Sequence, residues 1–207
     1  MGLSRHNRKS AFTLVEVMMA ATIIVIGFIG MIEVIGLISN SIKHGQRETV
    51  ASQIINNEFA KLRLATWTTI SGLSPSSTAV AIDPQFWPMW NSAMSYVANN
   101  VVTYNGAWYR CTTANTGIVP TNTSYWAVTT TGATTDVVEI NGATFTLARS
   151  LTSPDPVTNI REVIFTVTWV VTTSRNKLDG SPLTFTYRRS NVGWFGKYGV
   201  NLSYQRT

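Results

Sequence analysis

Ser10-Ala11-Phe12-Thr13-Leu14-Val15-Glu16-Val17-Met18-Met19-Ala20, continued to Ile38, is the stretch whose reading decides the fold. From Phe12 to Ile38 the chain runs 27 residues with two charges, Glu16 and Glu33. Coiled as an α-helix, that run would reach about 40 Å, more than the roughly 30 Å of a bilayer's hydrocarbon core. The segment before it, Met1 to Ala11, is polar and carries Arg5, Arg8 and Lys9. Basic residues stay on the cytoplasmic side of a membrane, so the expected topology is a single span with its N-terminus cytoplasmic.

Three readings compete for this segment. A secretory signal has an apolar core of about 7 to 15 residues before a small-x-small cleavage site. Ser39-Asn40-Ser41 could pass for that site, but the apolar run is about twice too long. A plain single-span anchor explains length and orientation but not Glu16. A carboxylate in hydrocarbon costs about 2.5 to 3.5 kcal/mol on insertion scales, so an ionisable group there is a functional candidate that needs a cation. If the chain were cut between Ala11 and Phe12, Phe12 would carry a free α-amino group. Glu16 would then stand fifth, one helical turn away, and a neighbouring copy could supply the positive charge.

Ser10 to Ala20 resembles the prepilin cleavage and methylation motif of type IV pilins and type II secretion pseudopilins. The shared features are a basic leader, a small residue at the cut, Phe, an acid at the fifth mature position and a long apolar helix. The resemblance implies removal of the leader 1–11 by a membrane prepilin peptidase, which also methylates the new amine of Phe12. It implies a docking role for Glu16 in a helical filament, with other pilin or pseudopilin subunits as partners. It further implies residence in the bacterial inner membrane before assembly, and in the periplasm or on a cell-surface pilus afterwards. Two positions depart from the family pattern. Ala11 stands where Gly is usual at the cut, and Glu33 stands where many major pilins carry a helix proline. Glu33 reads first as an interfacial, solvated charge and second as a further docking group. Gly27, Gly30 and Gly36 soften the helix in place of the proline, each costing about 0.5 to 1 kcal/mol relative to Ala.

Beyond Ile38 the composition turns polar while helical spacing persists. Ala51, Ile55, Phe59, Leu62 and Ala65, with Ile54 beside them, form an amphipathic stripe. Glu58 and Lys61 fall at i, i+3 as a helix-supporting pair. One helix is therefore expected over 12–66, its first part (12–38) in membrane or filament core and its second packed on a globular head.

From Asp136 onward strands dominate. Val137 to Ile140, Asn141-Gly142 and Ala143 to Ala148 read as a hairpin with a type I′ turn. Ile160 to Thr172 alternates, with Phe165, Val167, Trp169 and Val171 on one face. Asp179-Gly180 turns the chain into Leu183 to Arg189, and the closing Trp194 to Gly199 fits a further strand or an ordered tail. The expected head is an antiparallel sheet of three or four strands over 129–207, after a linker at 67–85. The fold class is α+β and pilin-like, with a small all-β insert.

That insert, 86–128, has 9 aromatic residues among 43 and a single charge, Arg110. Its centre, Val101 to Cys111, is a second hairpin on an Asn-Gly turn. Trp90, Tyr96, Val102, Tyr104, Gly106, Tyr109 and Trp126 make the stretch resemble the small chitin- and cellulose-binding modules of bacterial polysaccharide hydrolases. The resemblance implies a chitin- or cellulose-like polysaccharide partner. Trp90, Tyr109 and Trp126 are expected in a small core, whereas Tyr104, Trp108 and Tyr125 are the candidates for stacking on sugar rings.

Composition narrows the function classes. Only 13% of the 207 residues are charged, and between Leu64 and Thr135 the charges are Asp83 and Arg110 alone. One cysteine, Cys111, excludes an internal disulfide and reads as a small buried hydrophobe. Two histidines, His6 and His44, offer little to a zinc site or a Ser/His/Asp set, and no carboxylate pair, metal spacing or phosphate loop appears. A structural subunit is expected, without cofactor or metal and not an enzyme. The net charge of +6 falls to +3 without the three leader cations. Arg188, Arg189, Lys197 and Arg206 interleave with Trp194, Phe195, Tyr198 and Tyr204, a mix suited to single-stranded DNA. A solvated sheet edge explains the same charges more cheaply, so nucleic acid is not an expected partner. Two alternatives stand beside the filament reading: a membrane-anchored carbohydrate-binding adhesin outside any filament, and a DNA-uptake minor pilin.

Overall fold

A computed structural model describes residues 13–151, 159–177 and 179–197 and the backbone of 201–206, with the side chains of 33, 36, 37 and 174–176 outside the description. The chain divides into two units, 1–45 and 46–207.

The elements, in chain order, begin with the helices α1 (Leu14–Leu64) and α2 (Trp67–Ser71). There follow β1 (Thr78–Val80), a 3-10 turn (Pro84–Phe86), β2 (Ser95–Tyr96), β3 (Val101–Tyr104), β4 (Ala107–Cys111), β5 (Asn115–Thr116) and β6 (Trp126–Thr129). The last five are β7 (Val138–Ile140), β8 (Ala143–Leu151), β9 (Ile160–Asn176), β10 (Pro182–Gly196) and β11 (Asn201–Arg206). The class is α+β.

In the first unit, α1 is apolar on every side. Each large apolar side chain described between Leu14 and Ile42 is at least 52% exposed. Leu14–Ile32, with mean hydropathy 2.3, is long and apolar enough to cross a membrane. An isolated helix of this kind cannot satisfy its own side chains, because it has no polar face to give to water.

In the second unit, α1 becomes amphipathic. Ala51, Ile54, Ile55, Phe59 and Leu62 are buried, the stripe read from their spacing. They cover one face of a six-stranded antiparallel sheet of order β1-β8-β9-β10-β11, with β7 also paired to β8. Val163, Phe165, Val167 and Trp169 alternate into that core along β9. Phe59 is the centre of the packing, edge-on to Phe165 at 5.1 Å and stacked on Phe195 at 6.2 Å. Gly193 makes this possible: a Cβ there would lie 2.5 Å from Phe59 Cε1.

Both Asn-Gly turns have positive φ at both central residues, 52° and 68° at Asn141-Gly142 and 49° and 78° at Asn105-Gly106, as a type I′ hairpin requires. The sheet is wider than the three or four strands expected. The stretch expected as a linker, 67–85, holds α2 and the edge strand β1, which pairs Ala79 with Ala148. The tail adds β11, pairing Asn191 with Gln205. Both additions are short, and β1 gains its register from a partner about 70 residues away, so local periodicity carries little trace of them.

Arg161, 1% exposed, closes the α2 region. Its Nη1 donates to the carbonyls of Ile70 (2.6 Å) and Ser71 (2.8 Å), and its Nη2 to that of Leu73 (2.5 Å). A cation suits the carbonyl end of a helix. Burial, with the nearby Arg149 charge, pulls its pKa down. On α1, Lys61 Nζ lies 2.6 Å from Glu58 Oε1 and 3.1 Å from Asp83 Oδ2, so the expected i, i+3 pair gains a third member.

The aromatic stretch forms two small sheets, β3-β4-β6 and β2-β5. One face of the first packs Tyr96, Val102, Tyr109, Cys111 and Trp126 into a separate core. The other face belongs to the main core, through Val101 and, alongside it, Trp108. Asp136 ties the two parts together. Its carboxylate accepts from Arg110 Nε and Nη2 (3.0 Å) and from the Ala133 N–H (2.6 Å). The Asp136 hydrogen bonds outweigh burial and hold the Arg110 pKa above its usual value.

Candidate functional site

The first candidate site is the start of α1. Ala11 and Phe12 lie outside the described residues. Thr13 caps the helix, its Oγ1 and carbonyl both accepting from the Glu16 N–H (3.3 and 3.1 Å). Glu16 occupies the first turn and is exposed. Thr13-Leu14-Val15-Glu16 thus has the spacing of a capping box, a signal that was available in the sequence and pointed to Thr13. The positive end of the helix dipole favours an acid at this place by about 0.3 to 1 kcal/mol. That recovers only a fraction of the roughly 2.5 to 3.5 kcal/mol a carboxylate costs in hydrocarbon. The helix start therefore supplies a reason for an acid here without supplying its full counter-charge.

The second candidate site is the aromatic sheet. Tyr104, Trp108 and Tyr125 are each half-buried. Tyr104 meets Trp90 edge-on at 5.4 Å and Tyr109 at 6.5 Å. Tyr125 packs against the same small core, whereas Trp108 packs against the main one. The register explains the split: Trp108 pairs with Thr103 and Tyr104 with Ala107, so Tyr104 and Trp108 stand on opposite faces. The fold does not bring these three rings into one stacking surface. Tyr109 and Trp126 are buried as expected, and Trp90 is half-buried beside them. Trp126 Nε1 donates to the Ile118 carbonyl at 3.1 Å. Cys111 is buried, with Asn115 Nδ2 3.4 Å from its Sγ, and burial pushes its thiol pKa up.

The basic and aromatic set near the C-terminus is divided by the fold. Phe195 is buried against Phe59, and Arg188 is exposed. The side chains of Tyr198, Tyr204 and Arg206 lie outside the described residues.

Residues 6–32 match the model of the family described as the prokaryotic N-terminal methylation motif. The chain thus carries a prepilin-type motif that takes in the apolar start of α1, the pattern of proteins handled by prepilin peptidase. No curated protein and no solved structure matches the chain.

Proposed function

We propose that this chain is a minor pilin or pseudopilin, a structural subunit of a type IV pilus or type II secretion pseudopilus rather than an enzyme. The observation that carries the reading is Glu16 in the first turn of a helix that begins inside a methylation motif and whose first part, Leu14–Ile32, is otherwise apolar and exposed. Cleavage between Ala11 and Phe12 removes the basic leader and frees an α-amino group next to Thr13. In hydrocarbon, Glu16 of one subunit is neutralised by the Phe12 amine of its neighbour, while the apolar surfaces of successive helices cover one another. Before assembly the helix rests in the inner membrane with its N-terminus cytoplasmic and the head outside. Mass spectrometry of the protein from cells with active prepilin peptidase should find a chain beginning at N-methyl-Phe12. A terminus still at Met1 would instead favour the plain membrane anchor.

A polysaccharide partner is a second, narrower reading. It is supported by Tyr104 and Tyr125, half-exposed rings on the face of the small sheet that also holds Trp90 and Trp126. Retention of the full chain on chitin or cellulose, reduced by Tyr104→Ala, is the expected outcome. Equal retention of wild type and variant would remove it. The DNA-uptake alternative draws less support, because its set of rings loses Phe195 to the core.

A further inference from the structure

We propose that the cleft between the Pro88 to Tyr96 stretch and the β7–β8 turn binds an arginine or lysine side chain carried on an extended segment of a partner protein. The cleft encloses about 310 Å³, at the small end of ligand sites and suited to one long side chain with its adjoining main chain. It lies wholly within the second unit, and the inference does not depend on whether the chain polymerises.

Two groups lining the cleft select the occupant. Asn100 is 6% exposed, and its Oδ1 accepts the Val97 N–H at 2.6 Å. Its Nδ2 donates to no acceptor among the described residues, leaving an amide donor in the wall of the cleft. The residue is held in place through its Oδ1, so this donor stands open to the cleft, where a carbonyl oxygen can accept from it. Glu139 on β7 is half-buried and forms no ion pair among the described residues. A neighbouring group that could have served either one is already engaged: the Tyr96 hydroxyl accepts from the Asn91 N–H (2.8 Å) and donates to the Asn91 carbonyl (3.2 Å). The open positions are therefore one donor and one anion, which call for a carbonyl and a cation on the same ligand.

The rim fits the remainder of such a ligand. Met89 is 83% exposed and Met94 38%, which gives the rim an apolar surface. Flexible thioethers adapt to the aliphatic stem of a long basic side chain. A sugar would find less here, since Tyr96, the aromatic residue in the lining, is 7% exposed and has no free face to offer. Of the charges nearby, Arg47 at the edge of the lining is held on the Asn141 carbonyl, Asp83 is held by Lys61, and Arg110 by Asp136.

The test uses the full chain in detergent micelles with 13C-methyl-labelled methionine, the resonances assigned by single Met→Leu replacements. Acetyl-Ala-Arg-Ala-amide is titrated against it. The expected result is a saturable shift of the Met89 and Met94 methyls. Affinity should weaken about tenfold in Glu139→Gln, which preserves shape but removes charge, and should fall with added salt. Should the free Glu139→Gln spectrum differ from wild type at other methionines, the salt dependence of the wild-type titration decides. The proposal is overturned if neither methyl shifts, if acetyl-Ala-Gln-Ala-amide binds as tightly, or if binding is indifferent to both charge and salt. It is equally overturned if an N-acetylglucosamine oligomer shifts these methyls and the arginine peptide does not.

Discussion

Two parts of one helix face opposite problems. Between Leu14 and Ile32, α1 is apolar all round and exposed, whereas between Ala51 and Leu62 a narrow apolar stripe is buried on the sheet. The residue types are much the same: Ile, Leu, Phe, Val and Ala. What differs is how far round the helix they extend. A stripe can be covered by one sheet within the same chain, but a full cylinder cannot. Each large side chain left in water forgoes about 1.5 to 3 kcal/mol. The first part is thus a demand for lipid or for other helices, and the second is a demand already met.

The comparison can be broken most severely at Glu16. Glu16→Ala removes the one charge from the first turns of the exposed part, and should abolish filament assembly while leaving membrane insertion and the head unchanged. Electron microscopy and membrane fractionation check this, and normal filaments would end the docking role. Next comes Phe59→Ala in the buried part, which empties the centre of the helix–sheet contact. It should destabilise the head by about 3 to 5 kcal/mol, read by thermal unfolding in micelles, without altering insertion. An effect under about 1 kcal/mol would mean that the helix is not held by this ring.

The smallest effect is at the polar border of the stripe. Burial opposes the Lys61 charge, but the Glu58 and Asp83 carboxylates outweigh it and hold its pKa above 10.5. Burial likewise opposes the Asp83 charge, but the Gln85 N–H and Lys61 hold its pKa below 3.8. The Asp83 contribution is therefore complete above the ordinary carboxylate value and fades as pH falls through the lowered one. The Lys61 contribution is complete below the ordinary lysine value and fades as pH rises through the raised one. Lys61→Met should cost less than about 1 kcal/mol near neutrality, since Lys61 is half exposed and screened. It should also flatten the acid limb of the stability profile, and an unchanged profile would show that the trio contributes nothing.

Much of this architecture was legible because its signals are local. The stripe on α1, both Asn-Gly hairpins and the alternation of β9 each declare themselves within a dozen residues. The features that escaped depend on distance along the chain. Arg161 reads as an ordinary strand cation until the carbonyls of Ile70, Ser71 and Leu73 are seen to surround it. Arg110 and Asp136 are 26 residues apart, and nothing near either one names the other. At the candidate sites the limits were of two kinds. Thr13 is readable as a cap from its three-residue spacing to Glu16, although the membrane role of that acid is the louder signal. The opposite faces of Tyr104 and Trp108 follow from the two-residue turn between their strands, a parity that counting aromatic residues does not reveal.

The ring of Phe59 seated over Gly193 acts as a mechanical detent. Force applied along the axis of α1 would have to lift that ring from its notch before the helix could slide on β10, so slippage meets resistance at a single, identifiable point. A chain pulled along that helix would pass the load to β10, which the long β9–β10 ladder ties into the sheet, instead of to a terminal strand that could peel.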